Sequence, residues 1–234
     1  MSTGSAARVK GARGVRLDRD TILAVAEGIL DAEGLDALTM RRVGAELGAD
    51  PTALYRHFRS KEELVIELAD RAFGRVPRVD PKLHWRDGLR HLARHVREVY
   101  EVHPDFAAVL VRQLDETPNL EVLTEDTLRL LTEAGLTPAD AAEVYAVLVN
   151  YVAGTGLFYA VNGPDGFSPE RRAASRRAYA ALPSDEFPHA VATAPHLFPD
   201  PVRAFELGFE ILLDAIESRA LRSAEQHDTE EDDA

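Results

Sequence analysis

The sequence predicts an all-α protein, with a small N-terminal three-helix head joined to a larger helical body. Apolar residues recur at the 3.6-residue period almost throughout, and nothing alternates as a strand would. Helix start and stop residues fall where that period begins and ends. The 234 residues are 45% hydrophobic, ample for a core, and include no cysteine, so neither a disulfide framework nor a thiolate metal site is needed. That usage suits a reducing, cytoplasmic setting.

Ile22, Ala26, Ile29 and Leu30 share one helical face, with Asp18 as the cap and Gly34 as the stop. Thr39 caps a short second helix whose Met40, Val43 and Leu47 turn inward, and Gly48 ends it. Asp50 caps a third helix, expected over 51–57, with Pro51 at the first position, where a missing N–H costs nothing. Its inward pair is Leu54 and Phe58. Ser60 opens a fourth helix, and Ser60 with Glu63 makes a capping box. Further on, Trp85, Leu89, Leu92, Val96 and Val99 form an amphipathic stripe. Helices follow over 104–114, 119–134, 138–161 and 201–222, with short helices in the Pro-, Ala- and Arg-rich stretch 162–200, where Ser168-Pro169-Glu170 is a start signal.

The most apolar stretch, 144–161, is 18 residues long and broken by Asn150, Thr155 and two glycines. A core or interface helix is expected there rather than a membrane span. The N-terminus is basic but has no apolar run after it, so no secretory signal is expected. These features divide the chain into a basic flexible arm (1–16), a small helical head (17–74), a larger helical body (75–222) and an acidic tail (223–234). The tail, AEQHDTEEDDA, carries six acids and no base and reads as solvated.

The net charge of −13 is unevenly spread. Residues 1–78 hold 13 bases against 12 acids, whereas 79–234 hold 14 against 28. Arg8, Lys10, Arg13, Arg16 and Arg19 fall in the first 19 residues against one acid, Asp18. An anion-binding N-terminal module on an acidic body follows.

Two short helices joined at Gly48 and preceded by a bracing helix make a helix-turn-helix, whose second helix enters the DNA major groove. With Leu54 and Phe58 inward, Thr52, Ala53, Tyr55 and Arg56 occupy the other faces, and their chemistry suits phosphate and base edges. Lys61 breaks a rule, since a cation in the first turn opposes the helix dipole. Free N–H groups beside an ammonium make a phosphate clamp, and that is the role expected of Lys61.

The segment LTMRRVGAELGADPTALYRHFRSKEEL closely resembles the DNA-binding motif of the TetR family of transcriptional regulators. Looser matches to the tetracycline-repressor subgroup are Trp85-Arg86-Asp87, His103-Pro104, Phe187-Pro188-His189 and Phe205-Glu206-Leu207-Gly208-Phe209. The resemblance implies a homodimer that binds a palindromic double-stranded DNA operator and is released by a small-molecule inducer. It makes Arg41 a base contact, Thr52 and Ala53 the groove-facing start of the recognition helix, and Tyr55, His57 and Lys61 phosphate contacts. Arg56 takes the place where specificity changes. The last two long helices would form a four-helix seam across the dyad.

For the ligand, the expectation is a mostly apolar chamber with Phe106, Val109, Leu110, Gln113 and Asn150 on its walls. Asn150, in an apolar helix, needs hydrogen-bond partners, more readily found in a seam or core than in a ligand. Leu110 stands where the tetracycline repressor places a histidine on drug-bound magnesium, so a more apolar inducer than a tetracycline–metal complex is implied. His84, His91 and His95 lie on one helical face without a well-spaced carboxylate and read as a solvated face rather than a metal site. Arg171, Arg172, Arg176 and Arg177 read as solvated or paired with the acidic body. No catalytic signature is present, so neither an enzyme nor a cofactor is expected. Two rivals stay open at this stage: a helical binding or catalytic protein with a vestigial head, and an architectural DNA-binding protein that has no ligand.

Overall fold

Four predicted helix starts hold real caps. Asp18 accepts from the Thr21 N–H at 2.9 Å, Thr39 from Arg42 at 3.1 Å, Asp50 from Thr52 at 2.7 Å and Ser60 from Glu63 at 3.1 Å. Each satisfies an otherwise orphaned amide at a helix N-terminus. The computed structural model describes residues 17–110, 117–162 and 168–232, with backbone alone at 108–110, 159–160 and 224–232. The arm 1–16 lies outside the described residues.

The head contains α1 (Arg19–Glu33), α2 (Met40–Leu47), α3 (Pro51–Leu54) and the start of α4 (Lys61–Phe73). Ile22, Ala26, Val43, Leu54, Phe58 and Leu64 are fully buried and form its core. Burying such a side chain contributes about 1.5–3 kcal/mol, which is how a small head with a four-residue helix holds together. Gly48 adopts the left-handed conformation (φ 62°, ψ 28°) that lets the chain turn out of α2 without a Cβ clash. Gly44 is needed for a different reason: a Cβ there would sit 2.9 Å from the Ala49 carbonyl oxygen and 3.5 Å from Leu54 Cδ1.

The third helix is shorter than predicted. It ends at Leu54, and the chain turns through Tyr55–His57 with Arg56 N–H on Ala53 O and His57 N–H on Leu54 O. The cause is tertiary, because the His57 carbonyl is taken by the Arg19 guanidinium. The capping box is also half-formed: Glu63 reaches back to the Arg59 N–H at 2.6 Å rather than to Ser60.

The body comprises α5 (Trp85–Val102), α6 (Asp105–Leu110), α7 (Pro118–Glu133), α8 (Pro138–Asn162), α9 (Pro169–Ala180), α10 (Pro188–Thr193), a 3₁₀ turn (Ala194–His196) and α11 (Pro201–Asp232). No strand occurs among the described residues. α11 runs ten residues past its predicted end at 222, because Ala, Glu and Gln in that extension are good helix formers even where the net charge is high. α5 is rotated from its predicted stripe: Val96 and Val99 are half-buried, whereas Arg97 and Tyr100 are buried. Arg97 enters the interior paired with Glu101 and 5.7 Å over the Phe205 ring.

The chain divides between Leu68 and Ala69, within α4. On the body side, Asp70 accepts from both the backbone N–H and the side-chain amide of Asn119 at 2.9 and 2.8 Å, so α4 caps α7. Phe73 meets Tyr100 edge-on at 5.6 Å, and Arg78 grips buried Asp126 through two bonds of 2.9 and 3.0 Å.

Gly44→Val should destabilise the head by about 1–3 kcal/mol, as overpacked sites do, in urea unfolding followed by circular dichroism. An unchanged unfolding midpoint would remove the steric role given to this glycine.

Candidate nucleic-acid interface and ligand groove

The head's cations split into two groups. Arg42 is held by Glu33 at 2.8 Å and Glu46 at 2.6 Å, and its guanidinium is raised above its ordinary pKa by those hydrogen bonds, Glu46 first. Arg19 is held by Glu63 at 3.2 Å and by Glu67, and lies 4.3 Å over the Phe58 ring. Its charge is therefore internal to the head, which corrects its place among the predicted anion-binding bases. Arg41 and Arg56 are exposed, and neither has an ion-pair partner among the described residues.

Thr52 is exposed beside its Asp50 cap, and Tyr55 is 52% exposed although it is aromatic. Hydrogen bonds from Thr52, side chain first and then backbone, hold the Asp50 carboxyl below its usual range. Ala53 and His57 are half-buried. A phenol and two guanidiniums are thus presented to solvent on and beside a helix whose apolar side is completely covered.

Lys61 is part of the same region but is not idle: its ammonium donates to the Leu35 carbonyl at 2.9 Å, bracing the loop between α1 and α2. An ammonium has three donors, so two remain for a phosphate. Sequence reasoning missed this bond, because nothing local connects residues 26 positions apart.

In the body, Phe106 is buried, its ring tilted by 37° to that of His103 with the centroids 4.8 Å apart. Only the backbone of Val109 and Leu110 is described, and Gln113 lies outside the described residues. Asn150 is exposed, on the side of α8 opposite buried Leu148 and Val152. The structure therefore does not bring it together with Phe106. Instead Asn150 lines a groove of about 720 Å³ with Phe158, Arg171, Arg172, Phe198 and Phe205. The histidines have structural work: His91 Nε2 bonds the Pro77 carbonyl at 2.9 Å, His95 Nδ1 the His91 carbonyl at 2.7 Å, and His84 caps α5.

Residues 77–220 match the family described as tetracyclin repressor-like, C-terminal domain, and residues 22–68 match the bacterial regulatory proteins of the tetR family. The first match alone spans more than half of the chain. The chain belongs to the TetR family. Among its relatives is the class A tetracycline repressor protein from transposon 1721 of Escherichia coli, 29% identical over 88% of this chain and 93% of that one. The HTH-type transcriptional repressor DrrR1 of Streptomyces coeruleorubidus is 33% identical over 59% of this chain and 52% of its own length. The crystal structure of Streptomyces coelicolor ActR in complex with actinorhodin superposes with a TM-score of 0.78 at 32% identity, covering 88% of this chain and 99% of that one. As a TetR-family member the chain is a DNA-binding, ligand-responsive transcriptional regulator, and its helix-turn-helix is the DNA-binding element.

Arg41→Ala and Arg56→Ala should each cost about 1–3 kcal/mol of DNA affinity at defined base pairs, whereas Lys61→Gln should weaken all sequences alike. Arg42→Ala should leave the base preference unchanged. Binding to a randomised-operator library checks this, and uniform weakening by Arg41→Ala and Arg56→Ala would make them phosphate contacts.

Proposed function

We propose that this TetR-family chain is a repressor that grips a palindromic operator as a homodimer and lets go when a small, mostly apolar organic molecule binds the body. It acts as a regulator in the cytoplasm rather than as an enzyme. The observation that carries the DNA part is the set of exposed guanidiniums around α3, Arg41, Arg56 and Arg59, none with an ion pair among the described residues, in a head where Arg19 and Arg42 are tied to carboxylates. Arg41, Thr52, Ala53 and Arg56 are assigned to base edges, and Tyr55, His57 and Lys61 to phosphates.

Two apolar faces support the homodimer. On α8, Val147, Phe158 and Val161 are exposed along one stripe with Gly154, and on α11 Leu207, Ile211 and Leu221 are exposed. Apolar surface of this extent marks an interface, and a palindromic site calls for a two-fold partner. By length and composition, Pro138–Phe158 is also apolar enough to cross a membrane, with 22% of its window buried. A second copy is favoured over lipid because the opposite side of α8 packs Leu148, Val152 and Gly156 into the body, with Gly156 close against Tyr100 and Ala107.

Release follows from population shift. A ligand that binds better to a conformer whose heads are mis-spaced for major grooves about 34–36 Å apart drains the DNA-bound form. α4 carries the change, since it starts in the head and ends gripped by Asn119 and Tyr100 in the body. The ActR complex with actinorhodin is a precedent for an organic ligand in a relative.

Leu207→Asp with Ile211→Asp should give a folded monomer by analytical ultracentrifugation and circular dichroism. Its affinity for DNA from upstream of its own gene should fall by at least about tenfold, equivalent to about 1.4 kcal/mol. A wild-type protein that sediments as a monomer contradicts the seam.

A further inference from the structure

The groove between the C-terminal half of α8, α9 and the start of α11 has a chemistry unlike the rest of the body. Its volume of about 720 Å³ falls within the range of about 300–1,000 Å³ typical of small-molecule sites. In a chain of net charge −13 it is lined, among the described residues, by two arginines, Arg171 and Arg172, and by no carboxylate. Arg171 is exposed. Arg172 is 3.6 Å from Asp200, long for a charge-assisted bond, and its Nε is buried without a hydrogen-bond partner. A buried guanidinium N–H left unbonded is costly, so the Arg172 guanidinium is not fully satisfied by the protein around it.

Aromatic rings line the rest. Phe205 is stacked on Tyr151 at 5.3 Å, so its ring plane is fixed. Phe198 is held at φ 54°, in the left-handed region that a bulky side chain avoids, and braced edge-on by Tyr179 at 5.5 Å. Strain of this kind persists where surrounding contacts impose it, and it gathers at ligand clamps. Phe158 is exposed on the α8 side, and Asn150 supplies an amide there.

We infer that this groove binds a planar aromatic carboxylate. The guanidiniums of Arg171 and Arg172 take the carboxylate, a geometry their planar forks match, and Phe158, Phe198 and Phe205 sandwich the rings. Its regulatory meaning, which rests on the proposed function, comes from its place. Gly154 and Phe158 belong both to the groove and to the exposed α8 stripe assigned to the subunit seam, so a bound ligand touches the contact that spaces the heads.

The test is calorimetric titration of the full chain with 2-naphthoate and with its neutral counterpart 2-naphthamide. Naphthoate should bind at least about tenfold more tightly than the amide, a difference of about 1.4 kcal/mol. Arg171→Gln should abolish that preference, and Phe198→Ala should weaken both probes. Equal binding of the two probes, no binding of either, or a preference that survives Arg171→Gln overturns the inference. Gel shifts on the same samples, with DNA from upstream of the gene, separate the two ideas. A protein that shifts DNA but shows no carboxylate preference loses the groove and keeps the regulator. One that binds naphthoate through Arg171 but shifts no DNA loses the regulator and keeps the groove.

Discussion

A helix of four residues has no stability of its own, because nucleation fixes several residues for a single backbone bond. The position of α3 is therefore set by what holds the chain on either side of it, and that hold is concentrated at Arg19. From the first turn of α1 its guanidinium donates to the His57 carbonyl, covers the Phe58 ring and meets Glu63 and Glu67 on α4. No single contact here is large, since exposed ion pairs contribute about 0–1 kcal/mol. Their value is geometric: one side chain fixes the exit of the recognition element against two helices. Because Arg19 and Arg42 are occupied in this way, Arg41, Arg56 and Arg59 are left as the cations that face outward around α3.

The body uses its charge in the same manner. Arg86 reaches Asp214 at 2.6 Å and Glu217 at 2.7 Å, while Arg90 holds Glu210 at 2.5 and 2.8 Å, so that α5 is laced to α11. Arg219 joins α11 to Asp140 and Glu143 on α8. These links tie up three of the 14 bases in residues 79–234, where 28 acids leave an excess of negative charge that disfavours DNA. They also fix α8 and α11 side by side, with Tyr151 donating to the Phe205 carbonyl at 2.8 Å and crowding Gly208. Two apolar stripes are left facing solvent, and they define where a second copy would sit.

What could be read from sequence was what local chemistry decides. Asp18, Thr39, Asp50 and Ser60 cap their helices because each lies one residue before the helix and its side-chain oxygen accepts an amide N–H of the first turn. Gly48 turns the chain because only glycine takes that conformation without strain. Leu54 and Phe58 were legible as an inward pair by periodicity. What stayed hidden was tertiary. Lys61 on Leu35, Asp70 on Asn119, Arg19 on His57 and buried Arg97 over Phe205 join residues at least 26 positions apart, and no local pattern marks them. The groove at Arg171 and Arg172 was hidden likewise, since the arginine run looked like a solvated helix face until Phe198 and Phe205 were placed beside it.

Hydroxyl-radical footprinting of the DNA upstream of the gene, with and without an inducing ligand, tests the central claim most directly. A homodimer carrying two heads should protect two patches on one face of the duplex, about one helical turn or 10 base pairs apart, and both should vanish together when ligand is added. A single protected patch, or two patches that persist at saturating ligand, would contradict it.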